Sequence, residues 1–332
     1  MKAVKSIEVF LPYDISPSHD PNPAKYNFER EQVADLLTGS MFALLSAMSF
    51  ALNAIFLRRA IIGVVDISVG ILISVSMAVP LLFLIIAFTG RIQSLLNFTW
   101  QGYLWLSLAG VVHFIIGRTL NYKCIQLVGA NIANILSRSD ILISVVIGVT
   151  VLREPLGWGL GIGVFLILTG IALTGLNSPR NQKSYESFYR IPARALVLGL
   201  GAGVSWGVAP IFVKLGLDGI GAPVAGAFIS FFSATAILSL SLLKQKTRIS
   251  ISATSGRAAG FFFAAGLLSF VANFVRYIAL NLAPASVVTP LASTVPVFVL
   301  IFSFVFNRKL EIFNTRVVLG AISVVIGTLF LV

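Results

Sequence analysis

Polar positions along most of this chain are too sparse to mark out the faces of amphipathic helices. Instead, apolar runs of membrane-crossing length alternate with short polar breaks. A helix needs roughly 20 apolar residues to cross the hydrocarbon core of a bilayer. Charge-free windows of that kind occupy residues 36–57, 67–90, 155–179, 195–213, 219–243, 258–275, 277–307 and 317–332. The stretch 103–152 is as apolar, although Arg118, Lys123, Arg138 and Asp140 interrupt it. It is long enough for two helices divided near Val128-Gly129-Ala130. The window after Arg276 divides at Ala283-Pro284, because a proline can begin a helix but not sit in its interior without cost. The pattern predicts about ten helices, near residues 36–57, 68–89, 102–127, 130–152, 157–176, 195–216, 223–243, 258–282, 284–306 and 316–332. The expected fold class is an all-α polytopic membrane protein. Residues 1–35, with Pro12, Pro17, Pro21 and Pro23 among their acids, have no apolar core of a signal peptide and read as a polar N-terminal tail.

Composition sharpens this picture. Of 332 residues 57% are hydrophobic and only 11% charged, where a soluble domain carries about 25% charged residues. A soluble enzyme and a disordered chain are both excluded. The single cysteine, Cys124, rules out an internal disulfide or a cysteine-based metal cluster. The net charge of +12 is unevenly placed, with four basic against six acidic residues in 1–35 and twenty against six in the other 297. Those basic residues lie in short loops between apolar runs, a mark of membrane topology rather than of nucleic-acid binding.

The polar, basic segment 177–194 splits the helices five and five. The halves, 36–176 and 195–332, can be laid over each other. At an offset of 156, Ser49, Ile55, Phe56 and Arg58 fall on Ser205, Ile211, Phe212 and Lys214, while Ala43, Ala47 and Ala51 fall on Gly199, Gly203 and Gly207. At 155, Tyr122, Leu127, Ala130, Leu136 and Arg153 meet Tyr277, Leu282, Ala285, Leu291 and Arg308; at 157, Gly163 and Gly170 meet Gly320 and Gly327. Small residues at every fourth position let helices approach closely in lipid. A repeat with an odd number of helices must enter the second time from the opposite face. The result is an inverted repeat, an architecture that permits alternating access to a site between the halves.

Two segments, Tyr122-Lys-Cys-Ile-Gln-Leu-Val-Gly-Ala130 and Tyr277-Ile-Ala-Leu-Asn-Leu-Ala-Pro-Ala285, end the third helix of each copy. With Thr289-Pro290 and Val295-Pro296 in the ninth helix, the chain resembles the EamA-type families of the drug/metabolite transporter superfamily over nearly everything after residue 36. The resemblance implies a transporter of small organic metabolites. The family commonly has a Glu just after the fourth helix of each repeat; Glu154 fits, but the second copy reads Asn307-Arg308-Lys309 and departs. Glu154 is therefore given no role beyond a cap or an ion pair with Arg153.

Charges at mid-bilayer are costly and usually face a cavity or a partner. Lys123 and Arg276 lie near helix ends, where snorkelling suffices. Arg118, Arg138 and Asp140 lie deeper. On the third helix Arg118, Asn121, Tyr122 and Ile125 share one face, and on the eighth Asn273, Arg276, Tyr277 and Leu280 do the same, with Arg and Asn exchanged. On the fourth helix Asn131, Asn134 and Arg138 make one stripe, and Ser137, Asp140 and Ser144 another. Arg138 and Asp140, two residues apart on a continuous helix, point in roughly opposite directions and are not expected to pair. The functional reading is a polar cavity lined by Arg118, Asn121, Tyr122, Asn134, Arg138, Asn273, Arg276, Tyr277, Trp206 and Asn53. Arginine suits a carboxylate or phosphate because its planar fork binds bidentately and keeps its charge. Asp140 would be a counter-ion or a proton-coupling carboxylate. The competing reading is a structural Arg–Asp network. His113 reads as a hydrogen-bonded interior residue rather than a proton relay, and Trp100, Tyr103, Trp105 and Trp158 as interfacial anchors.

Thirteen Lys and Arg residues, Arg58, Arg59 and Arg308 among them, fall on one face and five on the face of the termini. The positive-inside rule then places both termini outside a plasma membrane, whereas the resemblance implies termini in the cytoplasm. The expected function is secondary transport of an anionic or zwitterionic metabolite, by export or exchange, with protons or a counter-transported solute as partners beside the lipid bilayer. No phosphate-binding Gly-x-x-x-x-Gly-Lys-Ser/Thr sequence, cofactor motif or metal-ligand spacing occurs. A channel or scaffold is the alternative; an intramembrane enzyme, lacking clustered acid–base residues, is the least favoured.

Overall fold

The computed structural model describes residues 23–62, 66–150, 158–175, 178–179, 188–189, 191–217, 220, 222–283 and 285–330. Among them the helices are α1 (Pro23–Ile62), α2 (Ile67–Ser76), α3 (Ala78–Phe88), α4 (Trp100–Gly110), α5 (Arg118–Ser137), α6 (Ser139–Thr150) and α7 (Trp158–Gly175) in the first half. The second half holds α8 (Ala193–Gly216), α9 (Pro223–Leu240), α10 (Gln245–Ala253), α11 (Gly256–Leu282), α12 (Ala285–Ala292), α13 (Val295–Phe306) and α14 (Thr315–Phe330). A π-helical segment, Val111–Gly117, joins α4 to α5. Among the described residues six helical stretches are long and apolar enough to cross a bilayer, Val33–Ile62, Ile67–Phe88, Trp100–Ile143, Ala193–Gly216, Pro223–Leu243 and Gly256–Arg276, with shorter apolar helices at Gly161–Thr174, Val295–Phe306 and Thr315–Phe330, so the expected polytopic all-α fold is found. The first helix is the exception in length. It reaches back to Pro23, so residues 23–35 are helical rather than tail; a proline at a first helical position costs nothing because that N–H has no partner to lose.

The breaks have readable causes. Pro80 removes an N–H and crowds the carbonyl of Ser76, and the helix is interrupted at Met77 between α2 and α3. Pro296 does the same at the start of α13, after a two-residue turn at Ser293-Thr294. Pro210, in contrast, sits inside α8 without ending it. At Gly129 the backbone adopts φ 85° and ψ 171°, a kink that joins the third crossing to the fourth. That region is open to glycine alone, and a Cβ there would lie 2.5 Å from Glu311 Oε2. Gly129→Ala is accordingly expected to cost about 1–3 kcal/mol, read as a lower melting temperature in detergent. An unchanged melting curve would show that the turn does not need its glycine.

Helix pairing follows the duplication. α1 packs along α11, and its repeat partner α8 packs along α4 and α5; α7 packs on α14, and α9 packs on α2 and α3. The first helix of each half therefore lies against the third helix of the other half, as a two-fold relation in the membrane plane requires. The small-residue stripes are what allow this. Ala43, Ala47 and Ala51 are fully buried. Gly199 meets Leu136, Gly203 meets Ser139 and the Ser137 carbonyl, and Gly207 meets Ile143, with no room for a side chain at any of the three.

Candidate functional site

Arg118 opens α5, directly after the π-helical segment. A π turn leaves carbonyls out of the ordinary ladder, and the Trp206 indole donates to one of them, the His113 carbonyl, at 3.2 Å. Gly117 lies beneath that indole, so close that a Cβ would stand 2.5 Å from its nitrogen. The His113 ring contacts the rings of Phe114 and Trp206, and among the described residues its side chain makes ring contacts in place of the expected hydrogen bond.

Arg118 is 7% exposed, and its guanidinium reaches across the repeat boundary. Its Nη1 donates to Ser74 Oγ on α2 at 3.1 Å, and its Nη2 to Ser269 Oγ on α11 at 3.0 Å. The Phe114 ring lies beneath it, 5.3 Å from centroid to charge. Ser74 Oγ is also 3.1 Å from the Tyr122 hydroxyl, and Tyr122 stacks on Phe262 of α11. Asn273, the counterpart of Arg118 in the second repeat, donates to the Ser269 carbonyl at 2.8 Å. Equivalent positions of the two halves therefore meet at one serine. Asn53 joins the same interface by donating to the Ala265 carbonyl of α11. Asn121 is 6% exposed and makes no side-chain hydrogen bond among the described residues. Among those residues no carboxylate lies within ion-pair distance of Arg118. Its partners are two hydroxyls and a ring face.

The structure does not bring every expected residue to this point. Asn134 bonds back to the Ala130 carbonyl of its own helix at 2.9 Å. Arg276 is half-buried on α11, and the Tyr277 side chain lies outside the described residues. Trp105 stacks on Phe212 with planes 10° apart, so it packs between helices, whereas Trp100 and Trp158 are exposed as interfacial anchors should be.

Arg138 and Asp140 correct the sequence reading. The fourth crossing is not continuous: α5 ends at Ser137 and α6 begins at Ser139, so the two residues do not obey helical spacing. Arg138 Nη2 stands 3.9 Å from Asp140 Oδ2. Each charge also occupies the helix end that favours it, the cation at the C-terminus of α5 and the carboxylate in the first turn of α6. Ser139 Oγ donates to the Leu200 carbonyl of α8, fastening the break to the opposite repeat. At the offset of 155, Arg138 corresponds to Ser293, which lies in the turn between α12 and α13. Both repeats thus interrupt the same crossing at the same place. At 1.5 Å per residue Arg118 lies about 16 Å before the Gly129 turn and Arg138 about 13 Å after it, near mid-depth of a core roughly 30 Å thick.

A second polar cluster was missed from sequence. Glu311, in the connector between α13 and α14, has a side chain with no exposed area and accepts the backbone N–H groups of Ala130 (2.9 Å) and Asn131 (3.1 Å). It caps from a distance the helix that starts after Gly129. Arg58 Nε stands 3.4 Å from Glu311, and the same guanidinium donates to the carbonyls of Ile125 and Leu310. Arg59 donates to Asn307 Oδ1 at 2.7 Å, Asn307 donates to the Ile55 carbonyl, and Ser303 donates to Asn131 Oδ1 at 2.7 Å. Burial pushes the Glu311 carboxyl above the ordinary carboxylate range, while the two amides and Arg58 pull it back. The signal was available. At the offset of 157 that aligns the late glycines, Glu154 falls on Glu311, four residues after Asn307, where the Asn307-Arg308-Lys309 stretch begins at the end of the ninth helix. Glu154 itself lies outside the described residues.

Among the described residues no group of three His, Cys, Asp or Glu side chains could hold a metal ion. What the mid-depth cluster can do is bind: one fixed cation, hydroxyl and amide donors, and aromatic faces, on a boundary between halves that break in register.

Comparison with known proteins agrees with this architecture. A solved crystal structure of another protein shares the fold with a TM-score of 0.57 and 11% identity, over 88% of this chain and 95% of its own. No curated protein matches the sequence. The model of the EamA-like transporter family matches twice, at residues 37–176 and 193–332, one match for each five-helix half. A multi-pass bundle built from two such halves, with its polar residues gathered where they meet, belongs to the EamA-like transporter family.

Proposed function

We propose that the protein carries a small anionic or zwitterionic organic metabolite across the membrane by alternating access, with Arg118 as the group that holds the anion. One observation carries this reading: the guanidinium of Arg118, a residue 7% exposed, lies at the boundary between repeats with no carboxylate partner among the described residues. A buried charge without a counter-ion costs several kcal/mol, and a substrate carboxylate or phosphate can supply what Ser74, Ser269 and the Phe114 ring do not. Asn121, Tyr122 and Asn273 are the neighbouring donors, and Trp206 and Asn53 flank them. Arg138 and Asp140 serve the break in the fourth crossing, with Asp140 as the counter-ion of Arg138. That break and its counterpart at Ser293-Thr294 are the positions about which the repeats rock, since paired interrupted helices commonly frame the site in inverted-repeat transporters. The basic face, which includes Arg58, Arg59, Arg308 and Lys309, points to the cytoplasm of a plasma-membrane protein by the short-loop rule.

Reconstitution into liposomes tests the reading. Uptake of a labelled anionic or zwitterionic solute is expected to saturate and to accelerate when the vesicles are preloaded with the same solute. Flux that rises without saturation and ignores preloading would mark a channel instead. Saturable uptake confined to cations would overturn the assignment of Arg118.

A further inference from the structure

We propose that a groove on the basic face, between the N-terminal ends of α2 and α8, binds the phosphate of an acidic phospholipid headgroup. The groove encloses about 400 Å³ and is lined by Asp66 and Ser68 of the α2 end, Thr119, Lys123 and Gln126 of α5, and Arg194 of α8. α5 packs against both α2 and α8 and forms its floor. Thr119, Lys123 and Gln126 follow one another at helical spacing. At 100° per residue their face is turned roughly a third of a turn from the Arg118, Asn121 and Tyr122 stripe, so the groove is distinct from the proposed transport site.

Three features point to an anion. The groove holds two cations and one carboxylate, and that carboxylate is already engaged, since Asp66 Oδ1 accepts the Ser68 N–H at 2.9 Å as the cap of α2. Arg194 is the second residue of α8, at the positive end of a 24-residue helix whose N-cap, Pro192, offers no side-chain acceptor. A cation is disfavoured there and an anion favoured. Thr119 and Gln126 add neutral donors. Depth and surroundings select a lipid over a soluble phosphate. Lys123 lies six residues before Gly129, about 9 Å along the helix, near the boundary of headgroups and acyl chains. Leu127, on the rim, is 41% exposed and open to an acyl chain. The surrounding face carries the basic excess that gathers acidic lipids.

The test is a thermal-shift titration of detergent-purified full-length protein with phosphatidylglycerol, phosphatidylcholine and inorganic phosphate. Phosphatidylglycerol is expected to stabilise the wild type far more than either of the others. The Lys123→Gln/Arg194→Gln double variant should bind it at least tenfold more weakly, as loss of roughly fivefold per cation implies. Lys123→Arg should retain binding. Lys244→Gln, at an exposed basic residue on the same face outside the groove, should leave it unchanged. Because both lining cations are exposed, the variants are expected to fold, and their unliganded melting temperatures check this. Equal binding by the double variant would overturn the site. Equal weakening by Lys244→Gln would reduce it to diffuse surface charge, and equal stabilisation by inorganic phosphate would make it a soluble-anion site.

Discussion

Arg118→Gln is expected to lower the initial rate of solute uptake at least tenfold while leaving a folded, monodisperse protein. Glutamine keeps a neutral donor that can still reach Ser74 or Ser269, so the structural loss is about one neutral hydrogen bond, roughly 0.5–1.5 kcal/mol. What the proposed site loses is the charge-assisted pair to a substrate anion, about 1.5–3 kcal/mol per bond, or a factor of about ten in affinity for every 1.4 kcal/mol. Arg118→Lys should fall between, because it keeps the charge but not the fork that spans Ser74 and Ser269. Initial rates in liposomes read beside size-exclusion profiles separate these effects. Wild-type rates in Arg118→Gln would remove the residue from the transport site. Loss of folded protein in both variants would return it to a structural role.

Glu311→Ala should have the largest effect on stability. It strips the acceptor from two helix-capping N–H groups and leaves Arg58 beside an empty space. Removing one member of a buried charged pair costs about 3–5 kcal/mol, a fall in melting temperature of roughly 10 °C on the scale of ordinary domains. Glu311→Gln, which keeps one acceptor oxygen, should lose less. Arg58→Met placed in the Glu311→Ala background should cost less than its effect in the wild type, since the charge left stranded is then gone as well. Additive losses would mean that Arg58 and Glu311 do not act as a unit.

These two residues mark what can and cannot be read from the chain. Spans are visible because lipid imposes a length and a composition locally, and the division at Gly129 is visible because it separates two such lengths. Interface stripes such as Gly199, Gly203 and Gly207 are visible because helical periodicity is local too. Arg118 stands out since a charge at that depth has few cheap explanations. The Glu311 cap is not local: its partners Ala130 and Asn131 lie about 180 residues away, and only the right offset between the repeats joins the two stretches. Arg138 and Asp140 failed for a different reason. Spacing rules assume an unbroken helix, and without a proline nothing in Ser137-Arg138-Ser139 announced the break. The clue was indirect, a cation followed by an anion, in the order that the end of one helix and the start of another prefer.

The proposed function rests on the boundary between the repeats holding an anionic or zwitterionic metabolite on Arg118. The most direct measurement is a thermal-shift screen of the purified protein against anionic, zwitterionic, neutral and cationic metabolites, with Arg118→Gln run in parallel. Stabilisation of the wild type by one or more anions or zwitterions is expected, together with its disappearance in the variant. Stabilisation by a cation or a neutral solute that persists in Arg118→Gln would contradict it.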